Sequence, residues 1–142
     1  MNKYQAISMI TRIRGEVFDY IESELVRYGI EGLVVSHGNI LNILYGNEGK
    51  LTMKEIAEGI NRSKSTVTQL IDKLIKFEYV KKEQSSEDKR YSFIILTEKG
   101  WGIKPYFEEI SDNVINMFFK GFTDMEIYIF LEMLDRVSNN FD

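Results

Sequence analysis

Leu51 to Gly100 reads LTMKEIAEGINRSKSTVTQLIDKLIKFEYVKKEQSSEDKRYSFIILTEKG. Thr52-Met53-Lys54-Glu55 has the form of a capping box, in which the Thr hydroxyl takes a free amide of the first turn and Glu55 reaches back to the amide of Thr52. Met53, Ile56, Ala57 and Ile60 then recur at i, i+3, i+4 and i+7, one apolar stripe of a short helix. Asn61-Arg62-Ser63 interrupts the pattern. A second stripe of the same spacing follows in Val67, Leu70, Ile71 and Leu74. Opposite it lie Ser65, Gln69, Asp72 and Lys76, with Thr66, Thr68 and Lys73 on the flanks. Two short amphipathic helices, the second showing small polar and basic side chains outward, form a helix-turn-helix suited to a DNA major groove.

Tyr79-Val80-Lys81-Lys82 is a short strand candidate and Tyr91 to Leu96 a longer one, with two-sided apolar character. Between them Gln84-Ser85-Ser86-Glu87-Asp88-Lys89-Arg90 contains no apolar residue. A helix pair followed by a basic hairpin is a winged helix, whose tip can lay Lys89 and Arg90 along phosphates or into the minor groove.

Working outward, residues 4 to about 28 carry Ile7, Ile10, Val17, Ile21 and Tyr28 at near-helical spacing, and Gly29-Ile30-Glu31-Gly32 stops that helix. Val35 to Tyr45 reads as the next, with Ile40, Leu41 and Leu44 inward. After Thr97 a long helix is expected to about Lys120, with Pro105 kinking it or lying near a bend, and Gly121 ending it. Thr123-Asp124-Met125-Glu126 is a second capping box, opening a final helix with Ile127, Phe130, Leu131, Leu134, Val137 and Phe141 on its apolar face.

Ser65-Thr66-Val67-Thr68, the Asp88-Lys89-Arg90 triplet and Leu96-Thr97-Glu98-Lys99-Gly100 occur in order and at fitting spacings. In this the chain resembles the MarR family of bacterial transcription regulators, which has S-T-V-T on the recognition helix, D-x-R in the wing and LT-x-x-G leading into a long helix. The resemblance implies one domain over residues 1–142. Its parts would be a winged helix-turn-helix over 34–97 (helix-turn-helix 52–77, wing 79–96), with dimerisation helices in 1–30 and 98–142. The expected fold is mainly α with a two-stranded wing. The resemblance also implies that Arg90 enters the minor groove or touches its backbone, with Asp88 pairing it and shaping the wing. Family members often bind aromatic or phenolic compounds between the dimer helices and the winged helix, so a crevice for a small aromatic effector is implied, although aromatic residues there fit a core equally well. The sequence departs from the family at Phe77-Glu78-Tyr79, where a glycine often precedes the first wing strand.

Ser63 is the N-cap candidate of the recognition helix. Gln69 is the candidate base reader, since its amide can pair bidentately with adenine. Ser65, Thr66 and Thr68 have the chemistry for capping, phosphate contact or base reading. Lys64, Lys73, Lys81 and Lys82 are solvated or phosphate-facing. Charge is distributed to match: residues 50–99 hold 11 Lys and Arg against 8 Asp and Glu, whereas residues 1–49 hold 4 against 6 and residues 100–142 hold 3 against 8. The net charge of −4 therefore conceals a basic centre, and the local field decides where a polyanion docks.

Forty-four per cent hydrophobic and 13% aromatic residues in 142 suffice for a sizeable core. The aromatic-rich terminal helices offer more apolar surface than a small winged helix covers, from which a homodimer and hence a palindromic operator are expected. Without cysteine there is no disulfide, no thiol catalysis and no thiol-based redox sensing. No apolar run of transmembrane length and no signal-peptide core is present, so a cytoplasmic location without membrane partners is expected. The lone His37 lacks a second His, a Cys or a carboxylate pair at ligand spacing, and is expected to be a capping or surface residue. No metal, cofactor or enzyme chemistry is expected. Two classes stay open: a dimeric DNA-binding repressor or activator whose affinity a small ligand can set; and a winged helix used for protein docking, with DNA binding lost. The basic wing and polar recognition face favour the first.

Overall fold

The computed structural model describes residues 1–30 and 32–142, so the Glu31 part of the expected helix stop lies outside the described residues. The chain forms two compact units, Met1–Ile110 and Ser111–Asp142. In the first, a single 3-10 turn leads into α1 (Ala6–Arg27), followed by α2 (Val35–Tyr45), β1 (Lys50–Thr52), α3 (Met53–Ile60), α4 (Lys64–Lys76), β2 (Val80–Gln84), β3 (Ser92–Leu96) and α5 (Glu98–Gly102). α6 (Lys104–Phe118) begins in this unit and ends in the second, which also holds α7 (Asp124–Asn139).

Both capping boxes form. The Glu55 amide donates to Thr52 Oγ1 at 3.2 Å and the Thr52 amide to the Glu55 carboxylate at 3.3 Å. Thr123 and Glu126 repeat the arrangement at the start of α7, at 3.3 and 2.8 Å. The two apolar stripes of the helix-turn-helix turn inward. Ile56 of α3 and Val67, Ile71 and Leu74 of α4 are buried, as are Ile40, Leu41 and Leu44 of α2, on which both helices pack, and Ile94 of β3. Each such side chain contributes about 1.5–3 kcal/mol by leaving water, so the stripes, rather than helix propensity, hold α3 and α4 in place.

The sheet has three antiparallel strands in the order β1-β3-β2, one more than the expected two-stranded wing. β3 is central: Val80 pairs with Leu96 and Gln84 with Ser92 on one side, and Lys50 pairs with Ile95 and Thr52 with Phe93 on the other. A three-residue strand running straight into a helix cap has no periodicity to read. The face carrying Ile94 and Leu96 is buried.

The single long helix expected after Thr97 is instead two, α5 and α6, broken at Ile103. Pro105 is the reason. Its ring nitrogen has no proton for the Trp101 carbonyl four residues back, and the ring would strike that carbonyl. Restarting the helix at Lys104 puts Pro105 in the first turn, where a missing amide proton costs nothing. α6 stops at Phe118, three residues before Gly121, whose φ is +85°.

In the Ser111–Asp142 unit, Phe118, Phe119, Phe122 and Phe130 form a cluster with ring centroids 5.0–6.2 Å apart, mostly edge to face. No residue of α7 is buried. Met125, Tyr128, Leu131 and Phe141 are 51–85% exposed, although the helix repeats apolar residues throughout. In the other unit, Leu25 is the one buried residue of α1, and Tyr4 and Ile7 are 81% and 77% exposed. No described helix is long and apolar enough to cross a membrane.

Candidate nucleic-acid interface

α3 ends at Asn61, which takes the left-handed conformation (φ +52°) and lets the Arg62 amide reach the Ala57 carbonyl at 3.2 Å. Asn is among the few side chains that enter this region readily. The sharp turn sets Ser63 extended as the N-cap of α4, where it accepts the Thr66 amide at 3.3 Å. Its hydroxyl lies 2.9 Å from Thr66 Oγ1 and 3.2 Å from Ser65 Oγ, so three hydroxyls cluster at the first turn. Thr68 donates to the Lys64 carbonyl at 2.9 Å, leaving its oxygen free to accept only. Lys64, Ser65 and Gln69 are exposed, and among the described residues the Gln69 amide has no hydrogen-bond partner. Lys73 is half-buried and near His37 of α2.

In the wing, Arg90 holds Asp88 in a two-pronged pair. Its Nε lies 3.0 and 3.1 Å from the two carboxylate oxygens and a terminal nitrogen lies 2.7 Å from Oδ2, while its backbone amide also donates to Oδ1 at 3.0 Å. The guanidinium keeps the Asp88 carboxyl below its ordinary pKa, and the carboxylate raises that of Arg90. Lys89 and Arg90 are both exposed. Arg90 and Lys82 of the wing border the same groove, of about 560 Å³, as Lys64, Thr68 and Asp72 of α4. The recognition helix thus has a side facing the wing across a mixed-charge groove and an outward side carrying Ser65 and Gln69.

The end of α4 is more elaborate than its sequence suggests. Glu78 sits at φ +64°, where the family often has glycine, and the Tyr79 amide returns to the Leu74 carbonyl at 3.0 Å. The Thr-Glu-Lys-Gly motif clamps this turn. Thr97 Oγ1 donates to the Glu78 carbonyl at 2.6 Å and lies 3.1 Å from that of Tyr79, and Lys99 Nζ donates to the Phe77 carbonyl at 2.7 Å. A Cβ on Gly100 would stand 2.2 Å from the Tyr79 carbonyl oxygen, so nothing larger than glycine fits. Tyr45 of α2 donates to the Gly100 carbonyl at 2.7 Å. The motif therefore ties α2, α4 and the exit of the wing to one point. Sequence reasoning used these residues only as a family marker; the small residue three positions after a helix-capping Thr was the available signal.

His37 caps a helix but is not a surface residue. It is 3% exposed, and its Nδ1 accepts the Val34 amide at 2.9 Å at the start of α2. Burial lowers its pKa, helped by the Lys73 charge. Among the described residues no group of three or more His, Asp or Glu side chains is placed to hold a metal ion.

A model of the MarR family matches residues 35–91, from the start of α2 to the end of the wing loop. The chain is 35% identical over 96 residues to the HTH-type transcriptional regulator SarZ of Staphylococcus haemolyticus, spanning 68% of this chain and 65% of that protein. It is also 35% identical over 106 residues to SarZ of Staphylococcus aureus, spanning 74% of this chain and 70% of the relative. The fold is shared with a MarR protein from Peptoclostridium difficile (TM-score 0.83, 23% identity, 99% of this chain and 89% of that one). It is shared as well with reduced AbfR bound to DNA (TM-score 0.77, 22% identity, 98% and 94%). With more than a third of the 106 matched residues identical to SarZ, over 74% of this chain and 70% of that protein, the chain belongs to the MarR family of winged-helix transcription regulators.

Proposed function

We propose that the chain is a sequence-specific DNA-binding regulator, a repressor, which acts as a homodimer on a palindromic operator. The observation that carries this reading is that Arg90 and Lys82 of the wing border one groove with Lys64 and Thr68 of α4, so a single duplex can meet both elements. Gln69, exposed and unpartnered, reads base edges in the major groove. Ser65, Thr66 and Thr68 flank it. Lys64, Lys73 and the first-turn amides of α4 left free beside the Ser63 cap meet phosphates, and Lys89 and Arg90 reach the minor groove or its backbone. The fold shared with AbfR, solved on DNA, supports the same use of this surface.

The exposed apolar residues of α1 and of α7 support the dimer, each set being a face that a second copy would cover. Two copies set their recognition helices about one duplex turn, ~34 Å, apart. Family membership supports control by a small aromatic ligand that releases the DNA. Selection of bound duplexes from a random pool tests the reading: it should return an inverted repeat with half-site centres about 10 base pairs, or a multiple, apart. A pool that stays random after repeated rounds would favour protein docking.

A further inference from the structure

Residues 85–90 contain no apolar side chain, so polar contacts alone define the wing tip. The ladder ends where Gln84 pairs with Ser92, and the Ser85 amide closes the loop on the Tyr91 carbonyl at 3.0 Å. Beyond that point two side chains organise the turn. Ser85 Oγ accepts the amides of Glu87 at 3.3 Å and Asp88 at 3.2 Å. Gln84 Nε2 crosses the loop and donates to the Lys89 carbonyl at 2.7 Å. Asp88, so placed, grips Arg90. The order of dependence runs from Ser85 through Asp88 to Arg90, and from Gln84 to the Lys89–Arg90 peptide.

We propose that Gln84 and Ser85 are positioning residues of the wing, which set the reach of Lys89 and Arg90 from α4 without touching DNA themselves. The proposal rests on the DNA-binding reading above. A polar loop free to sample many shapes must lose that freedom when it meets the duplex, whereas one ordered in advance loses less. Arg90 alone cannot fix the tip, because its pair with Asp88 moves with the loop that carries both. One of the two Gln84 side-chain amide protons is already used within the wing, which leaves Gln84 less free to reach a base edge.

The test measures affinity for the selected operator over a range of salt with the full chain, checking each variant's fold by circular dichroism. Gln84→Ala and Ser85→Ala should each weaken binding by about 3- to 10-fold. The salt slope should stay unchanged, because no phosphate contact is removed. Arg90→Ala should reduce the slope by about one per subunit, about two for the dimer. Ser85→Thr, which keeps the hydroxyl, should restore affinity. In a Lys89→Ala/Arg90→Ala background Gln84→Ala should have almost no further effect, the non-additivity of residues acting through one another. In the free protein, amide exchange at Asp88 and Arg90 should quicken in Gln84→Ala. Full additivity in the double-variant background, or unchanged binding by Gln84→Ala while Arg90→Ala weakens it, would overturn the proposal and leave the DNA-binding reading intact. A wild-type chain that binds no duplex would overturn both.

Discussion

Glu78 occupies a backbone conformation that costs a residue with a Cβ roughly 1–2 kcal/mol, and its side chain makes no hydrogen bond among the described residues. Glu78→Gly relieves that cost but frees the unfolded chain, so urea denaturation should show a net gain of about 0.5–1 kcal/mol. Gly100→Ala should act in the opposite sense, losing about 1–3 kcal/mol or more, because the clash is with a carbonyl oxygen that is itself held by Thr97. His37 adds a pH dependence. Its native pKa lies below the ordinary 6.5, so the unfolded chain takes up the proton first as pH falls. The His37 contribution is complete above about pH 6.5 and declines as pH falls below it, until the native imidazole also protonates and loses its acceptor at Val34. Thermal melts at stepped pH should show this decline, and a His37→Gln variant should lack that component. Of these three residues only Glu78 was conspicuous in the sequence, as a departure from a pattern. The close approach at Gly100 joins residues 21 positions apart and cannot be read locally, and a lone histidine gives no sign of its burial.

Helices marked by both a cap and a stripe, α3, α4 and α7, were legible to within a residue or so, because capping and amphipathicity are local properties. β1 was not, and of the break at Ile103 only a kink or bend near Pro105 was legible, not its form as two helices. β1 exists only because β3 offers it an edge, and the break depends on which turn of the helix Pro105 occupies. The roles proposed for α4 and the wing yield a prediction at this scale. Arg90→Ala should weaken all duplex sequences by similar factors, since minor-groove readout is degenerate. Gln69→Ala should cost about 1–3 kcal/mol on the preferred operator and relax preference at one position per half-site. Competition assays against a panel of single-base operator variants separate the two. The reverse pattern would exchange the reader with the anchor.

For the whole molecule, charge and apolar surface point to two different partners. Basic residues concentrate in the middle third, while exposed apolar residues concentrate in α7, with others near the start of α1 and in α6. The proposed homodimer would cover the apolar residues. Light scattering at micromolar concentration should return about twice the 16.6 kDa chain mass, and Leu131→Glu should shift the mass toward the monomer. A wild-type monomer would refute the dimer. The absence of cysteine means that any response to oxidants would have to use other chemistry. The most direct test of the DNA-binding surface is a titration of the selected operator with the wild-type chain at stepped salt concentrations. If the dimer neutralises some 6–10 phosphates, affinity should fall by about 10³–10⁵ between about 50 and 200 mM. An affinity independent of salt, or no binding at the lowest salt, would contradict the assignment of α4 and the wing to DNA.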